Sequence, residues 1–165
     1  MKLSNLKSLF KHVLFAPAML TIFFSIPHLF QKYFDIDEGV YSAVSTSIFN
    51  GNLLYKDIWD HKPPLIYLLY SPISLFGPIV GMLLLRIISV FVKIFTLFIF
   101  YKVLKRLRIE NKYASIILSL IALLITLPIL EGNIVNIEIF FLPIVALTIL
   151  RILNYKFSYL EGFLL

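Results

Sequence analysis

The sequence predicts an all-α polytopic membrane protein with about four to five transmembrane helices, and with amphipathic interfacial helices in its first outer loop. Three observations carry this expectation. Hydrophobic residues make up 60% of the chain and charged residues only 15%, with a mean hydropathy of +0.93; soluble domains are only about half apolar. The apolar residues fall in long runs, and the 165 residues leave room for about five crossings of a ~30 Å hydrocarbon core at about 20 residues each. The charges are segregated by sign between alternate connections. No second, soluble domain fits, so 1–165 reads as a single transmembrane domain. The chain has no cysteine, which excludes disulfides, thiolate metal sites and cysteine nucleophiles.

The first apolar run, Val13 to Phe30, follows Lys2, Lys7 and Lys11. It lacks a small-x-small cleavage site and is too long for a signal-peptide apolar region, so it reads as an uncleaved anchor. The second, Ile79 to Leu104, closes with Lys102, Lys105, Arg106, Arg108 and Lys112, the strongest cytoplasmic marker in the chain. Tyr113 to Leu130 forms a third span and Ile139 to Leu153 a fourth, meeting Arg151 and Lys156. Phe157 to Leu165 begins a fifth. Leu65 to Phe76 has about 12 apolar residues and contains Ser71-Pro72, too short for a crossing and suited to an interfacial or re-entrant helix. The first outer loop then runs over 31–78. With the N-terminus cytoplasmic, ten of the fifteen Lys and Arg fall inside and seven of the nine Asp and Glu outside. The placement is a multi-pass protein of the cell membrane. A net charge of +6 is then a matter of orientation, and nucleic acid is not an expected partner.

Five of the nine carboxylates, the only Trp and the run His61-Lys62-Pro63-Pro64 lie between residues 35 and 70. Asp35-Ile-Asp37-Glu38 precedes Val40, Ala43, Val44, Ser47 and Ile48, whose spacing puts one apolar stripe on a short helix that Asn50-Gly51 ends. Asp35 and Glu38 have capping-box spacing, and carboxylates in a first helical turn are favoured by the macrodipole. The same position holds Asp37 ionised at the membrane surface, as a general base for an alcohol requires. In the second half of the loop, Tyr55, Trp59 and the prolines have the composition of an interfacial anchor. Asp60, His61 and Lys62 form a polar group able to grip an anionic headgroup.

Arg86 and Lys93 lie inside the second span on one face, about 10 Å apart along the axis. Charges at that depth are costly, which makes each a functional candidate; Arg86, nearer the outer end, is the better placed for a phosphate. Glu131, Asn133, Asn136 and Glu138 form a second outer cluster, and a short polar loop accounts for the first two. Asn136 and Glu138 stand at the mouth of the fourth span. His12 and His28 are isolated and read as surface or span-end residues. No Gly-rich phosphate loop, Ser-His-Asp arrangement or His/Cys metal spacing occurs. No cofactor is expected, and the pattern leaves a divalent metal open.

The Asp-Glu helix after the first span, Leu54-Tyr55-x-Asp57-x-Trp59-Asp60-His61-Lys62-Pro63-Pro64, a membrane Arg86 and Asn136-x-Glu138 together resemble the N-terminal part of polytopic C-type (GT-C) glycosyltransferases. That group includes protein O-mannosyltransferases, aminoarabinose transferases of lipid A and glycosyltransferase family 39. The resemblance covers nearly the whole chain and is most specific over residues 35 to 70. It implies inverting transfer of a sugar from a polyprenyl-phosphate donor to a hydroxyl of an acceptor lipid, glycan or protein at the outer face. Asp37 would be the base, Glu38 would orient the acceptor or the base, and Lys62 and Arg86, with His61 beside them, would neutralise the lipid phosphate. Asp60, Asn136 and Glu138 are additional candidates. A Glu often precedes Lys-Pro-Pro in aminoarabinose transferases; here that residue is His61. Family members are several hundred residues long, so the chain reads as an N-terminal fragment, a truncated reading frame or one piece of a split transferase, and activity of the chain alone is not part of the expectation. The competing reading is a non-catalytic membrane scaffold, or a lipid-binding component of a surface-glycan export system.

Overall fold

The computed structural model describes residues 13–128, 132 and 134–154. Lys2, Lys7, Lys11, His12, Glu131, Asn133, Lys156 and the run 157–165 lie outside the described residues. The fold is all-helical: α1 (Phe15–Leu29), α2 (Ile36–Phe49), α3 (Pro64–Leu69), α4 (Ser71–Phe76), α5 (Pro78–Arg106), α6 (Asn111–Leu124) and α7 (Ile137–Asn154). Two of these helices are long and apolar enough to cross a membrane, α5 with 29 residues and α7 with 18.

Local chemistry explains where the expected boundaries hold and where they move. α2 starts at Asp35, which has extended backbone and forms a capping box with Glu38, and it ends at Asn50. Gly51 follows at φ +92°, a conformation that glycine alone takes at no steric cost. The apolar stretch from Leu65 is not one helix but two six-residue helices that meet at Tyr70, because Pro72 cannot donate to the turn before it. The third expected span is shortened: α6 stops at Leu124 rather than continuing to Leu130. Pro128 disfavours helical backbone at Leu127, and the Thr126 hydroxyl turns back to the Ala122 carbonyl. At 1.5 Å per residue α1 and α6 extend only about 22 and 21 Å, less than the hydrocarbon thickness.

The helices alternate in direction. Val13 and Leu14, just before α1, share a buried cluster with Leu97, Tyr101 and Leu104 of α5 and with α6, so α1 and α6 both run opposite to α5. Arg106 at the end of α5 donates to the Leu153 carbonyl at the end of α7, so α5 and α7 run together. Ala114 and Ala122 are fully buried on α6, small residues that let helix backbones approach closely. At the other end a second cluster joins Tyr41 of α2, Ile66, Tyr67 and Tyr70, Ile73 of α4, and Met82 and Leu85 of α5. Gly81 allows that closure, since a Cβ there would collide with the backbone of Ile73 and Pro72. The basic residues 102–112 therefore sit at one end of the body, and Asp35, Asp37, Glu38, Asp60 and Glu138 gather toward the other.

Candidate functional site

Asp37, Lys62, Asn136 and Glu138 line one cavity of about 340 Å³, together with Gly132 and Ile139 of α7. Each arrives by a different route. Asp37 stands in the first turn of α2 and Glu138 in the first turn of α7, where the dipole favours carboxylates. Lys62 is delivered by Pro63-Pro64, which fixes the entry to α3. Asn136 is the last residue before α7. Gly132 passes so close to Ile125 and Thr126 that a Cβ would lie 2.8 Å from their backbone.

Within the cavity Lys62 Nζ lies 3.9 Å from Glu138 Oε1, a distance that leaves the ammonium available to a stronger anion. The Tyr41 hydroxyl donates to Asp37 Oδ2 at 3.3 Å. Burial, with the Asp37 carboxylate adding to it, raises the Tyr41 phenol above its usual range, so it stays a donor. Asn136 Oδ1 is buried and has no hydrogen-bond partner among the described residues. The cavity is thus lined by a half-buried carboxylate, Asp37, an exposed one, Glu138, and a cation, Lys62.

Asp60 and His61 stand outside it. Asp60 is buried and accepts from the Tyr67 hydroxyl at 2.8 Å and from the His61 backbone at 2.7 Å. Burial pushes its carboxyl up, but those hydrogen bonds and the His61 ring outweigh it and lower the pKa. The His61 ring, 71% exposed, caps Asp60 at 2.9 Å and is not among the residues lining the cavity. Tyr67 and Tyr55 both donate to the Lys62 carbonyl, at 3.3 and 2.6 Å. Asp60 therefore anchors the turn that presents Lys62.

Glu38 and Arg86 are used elsewhere. Both are buried, and Arg86 donates to Glu38 Oε2 at 2.7 Å. The guanidinium also donates to the carbonyls of Gln31 at 2.6 Å and Tyr33 at 3.2 Å. Glu38 further accepts from His28 Nε2 at 2.9 Å and from the backbone N–H groups of Asp35 and Val135. Burial raises the Glu38 carboxyl, yet the hydrogen bonds and positive charge of His28 and Arg86 hold it at about 2. An uncompensated guanidinium in α5 would be costly, which is why the acid nearest it is consumed in pairing. Arg86 does not line the Asp37 cavity. His28, Asp35 and Glu38 are the only trio of metal-ligand type among the described residues, and the adjacent guanidinium already supplies the cation there. Lys93 is buried in α5, distant in sequence from every cavity residue named here.

Sequence reasoning passed over Tyr41, Tyr67 and Tyr70, and it read His28 as an isolated surface or span-end residue, whereas His28 stands at the end of α1 but is buried against Glu38. Tyr41 had a legible signal, four residues after Asp37 on one helical face. The others depend on long-range packing: the Tyr70 hydroxyl, for example, reaches the Val135 carbonyl at 2.8 Å.

No family model matches the chain, and no curated protein or solved structure matches it.

Proposed function

We propose that the protein is a membrane glycosyltransferase of the polyprenyl-phosphate type, with the Asp37 cavity as its reacting site. One observation carries the reading: Asp37, Lys62, Asn136 and Glu138, drawn from three stretches spread over a hundred residues, line a single cavity at the acidic end of the helical body. The Asp37 carboxylate takes the proton of an acceptor hydroxyl. The acceptor oxygen then forms its bond to the anomeric carbon on the face opposite the phosphate, and the bond from that carbon to the phosphate oxygen breaks. Its electron pair leaves with the polyprenyl phosphate, whose growing charge the Lys62 ammonium stabilises. Glu38 and Arg86 act at one remove, by fixing the first turn of α2 that carries the base. Lys62→Met should raise the donor KM about 10–100-fold, the worth of a hydrogen bond to a charged group, and Lys62→Arg should restore much of it. A KM unchanged in Lys62→Met, read with a labelled polyprenyl-phosphate sugar, would remove the residue from the donor site.

The reading needs the acidic end to face outward, with about four to five spans in the cell membrane. The exposed Tyr33 and Trp59 at that end favour an interfacial setting. Asn52 and Asn111 are both exposed, and the chain has no cysteine of its own. In intact cells an impermeant thiol reagent should label Asn52→Cys and spare Asn111→Cys. The reverse pattern would invert the topology and place the cavity on the wrong side for a lipid-borne donor.

A further inference from the structure

A second cavity, of about 540 Å³, opens where the end of α1 meets the start of α5, within the ~300–1,000 Å³ of small-ligand sites. Its walls are apolar, with Leu29, Phe30, Met82 and Leu83 among them, and two cations stand at it, Lys32 and Arg86. It shares no lining residue with the Asp37 cavity. Two further observations point to a ligand. Arg86, 3% exposed, places a cation in the lining of an otherwise largely apolar cavity. Lys32, by contrast, is exposed at the rim and has no acid against it among the described residues.

We propose that this cavity is a binding site for an anionic phospholipid of the surrounding membrane, one hydrocarbon chain lying against Leu29, Met82 and Leu83 and the phosphate held by Lys32 at the rim. The chemistry selects this occupant in three steps. Apolar walls at the end of an apolar helix take hydrocarbon. A rim lysine with a second cation in the lining takes an anion. The donor of the transfer reaction must present its phosphate in the Asp37 cavity, so the lipid held here is a different one. Because Arg86 also anchors Glu38 and the Gln31 and Tyr33 carbonyls, an occupied cavity reinforces the turn between α1 and α2.

The choice of occupant rests on the proposed transfer, but lipid retention itself needs only a membrane setting and no turnover, so a failed transfer assay and a failed lipid assay are distinguishable. The full chain is purified from nanodiscs containing equal amounts of phosphatidylglycerol and phosphatidylcholine, and retained lipid is read by native mass spectrometry. Wild type should hold a single phosphatidylglycerol. Leu83→Trp, which fills the cavity, should hold none, whereas Ile88→Trp, exposed on α5 outside the cavity, should hold it as wild type does. Lys32→Gln should weaken retention about fivefold, the effect of one basic residue near a lipid surface. Equal retention of phosphatidylcholine, or undiminished phosphatidylglycerol on Leu83→Trp, overturns the proposal. Displacement of the phosphatidylglycerol one for one by a short polyprenyl phosphate also overturns it, by giving the cavity to the donor instead.

Discussion

Glu38→Gln is expected to cost about 3–5 kcal/mol of stability, the loss seen when one partner of a buried ion pair is removed and the other charge stays behind. The expectation rests on where the carboxylate sits. It is fully buried and joins four separate segments: His28 at the end of α1, Asp35 at the cap of α2, Arg86 in α5 and Val135 before α7. Glutamine retains an acceptor oxygen but places an NH₂ against either Arg86 or His28, and leaves the guanidinium uncompensated. Arg86→Met should be as damaging, for the converse reason. The double variant Glu38→Gln/Arg86→Met should recover part of the loss, because no buried charge then remains. Thermal unfolding of the detergent-solubilised protein reads all three. Single variants with wild-type midpoints would reduce the pair to a minor contact.

The same pair sets a pH dependence. Although burial raises the Glu38 carboxyl, the hydrogen bonds and charges of His28 and Arg86 hold it at about 2, against an ordinary value of 4.5. The folded state therefore binds its proton less readily than the unfolded chain. The resulting stability is present above about pH 4.5 and is lost as pH falls toward 2, with a magnitude of about 3 kcal/mol at 1.36 kcal/mol per pKa unit. In Glu38→Gln this part of the acid sensitivity should disappear.

The pairing marks the boundary of what the chain makes legible. Asp35, Glu38 and Asn50-Gly51 announce α2 because a capping box and a glycine stop are local devices, complete within a few residues. Asp37, Lys62, Asn136 and Glu138 could be nominated because polar groups at the mouths of apolar runs need something to do. Their convergence could not be read, since it depends on how α7 lies along α5. The opposite happened at Arg86. A charge at membrane depth is a fair flag for function, but whether it faces a ligand or a carboxylate depends on Glu38, 48 residues earlier in sequence. The length of α6 was legible in principle, because Leu127-Pro128 is a helix-ending pair; the hydrophobicity of Ile129 and Leu130 outweighed it. Hydrophobicity reports what a segment can lie against, and proline reports where its backbone must turn.

Asp37→Asn is expected to lower turnover of the proposed transfer by ~10²–10⁴-fold, the usual contribution of a general base. Three features of the structure bear on the expectation. Asp37 is held on the first turn of α2, whose start is pinned by the Glu38 network, so the carboxylate has little freedom to drift. Its one hydrogen bond from a described residue comes from Tyr41, whose phenol is buried and edge-on to the rings of Tyr67 and Tyr70, which orients one oxygen and leaves the other without a partner among the described residues. Lys62 lines the same space, on the opposite side of the reaction in charge terms, as base and leaving-group stabiliser must be. Asparagine preserves size, helix position and an acceptor for the Tyr41 hydroxyl, but it cannot take a proton. Turnover should therefore fall while donor KM and the unfolding midpoint stay near wild type. Tyr41→Phe removes the orienting hydroxyl without touching the base and should reduce kcat by a smaller factor, with Asp37 still required. Full turnover in Asp37→Asn would leave the residue as a favourable first-turn charge at the start of α2 and move the search for the base to Glu138, the other carboxylate lining the cavity.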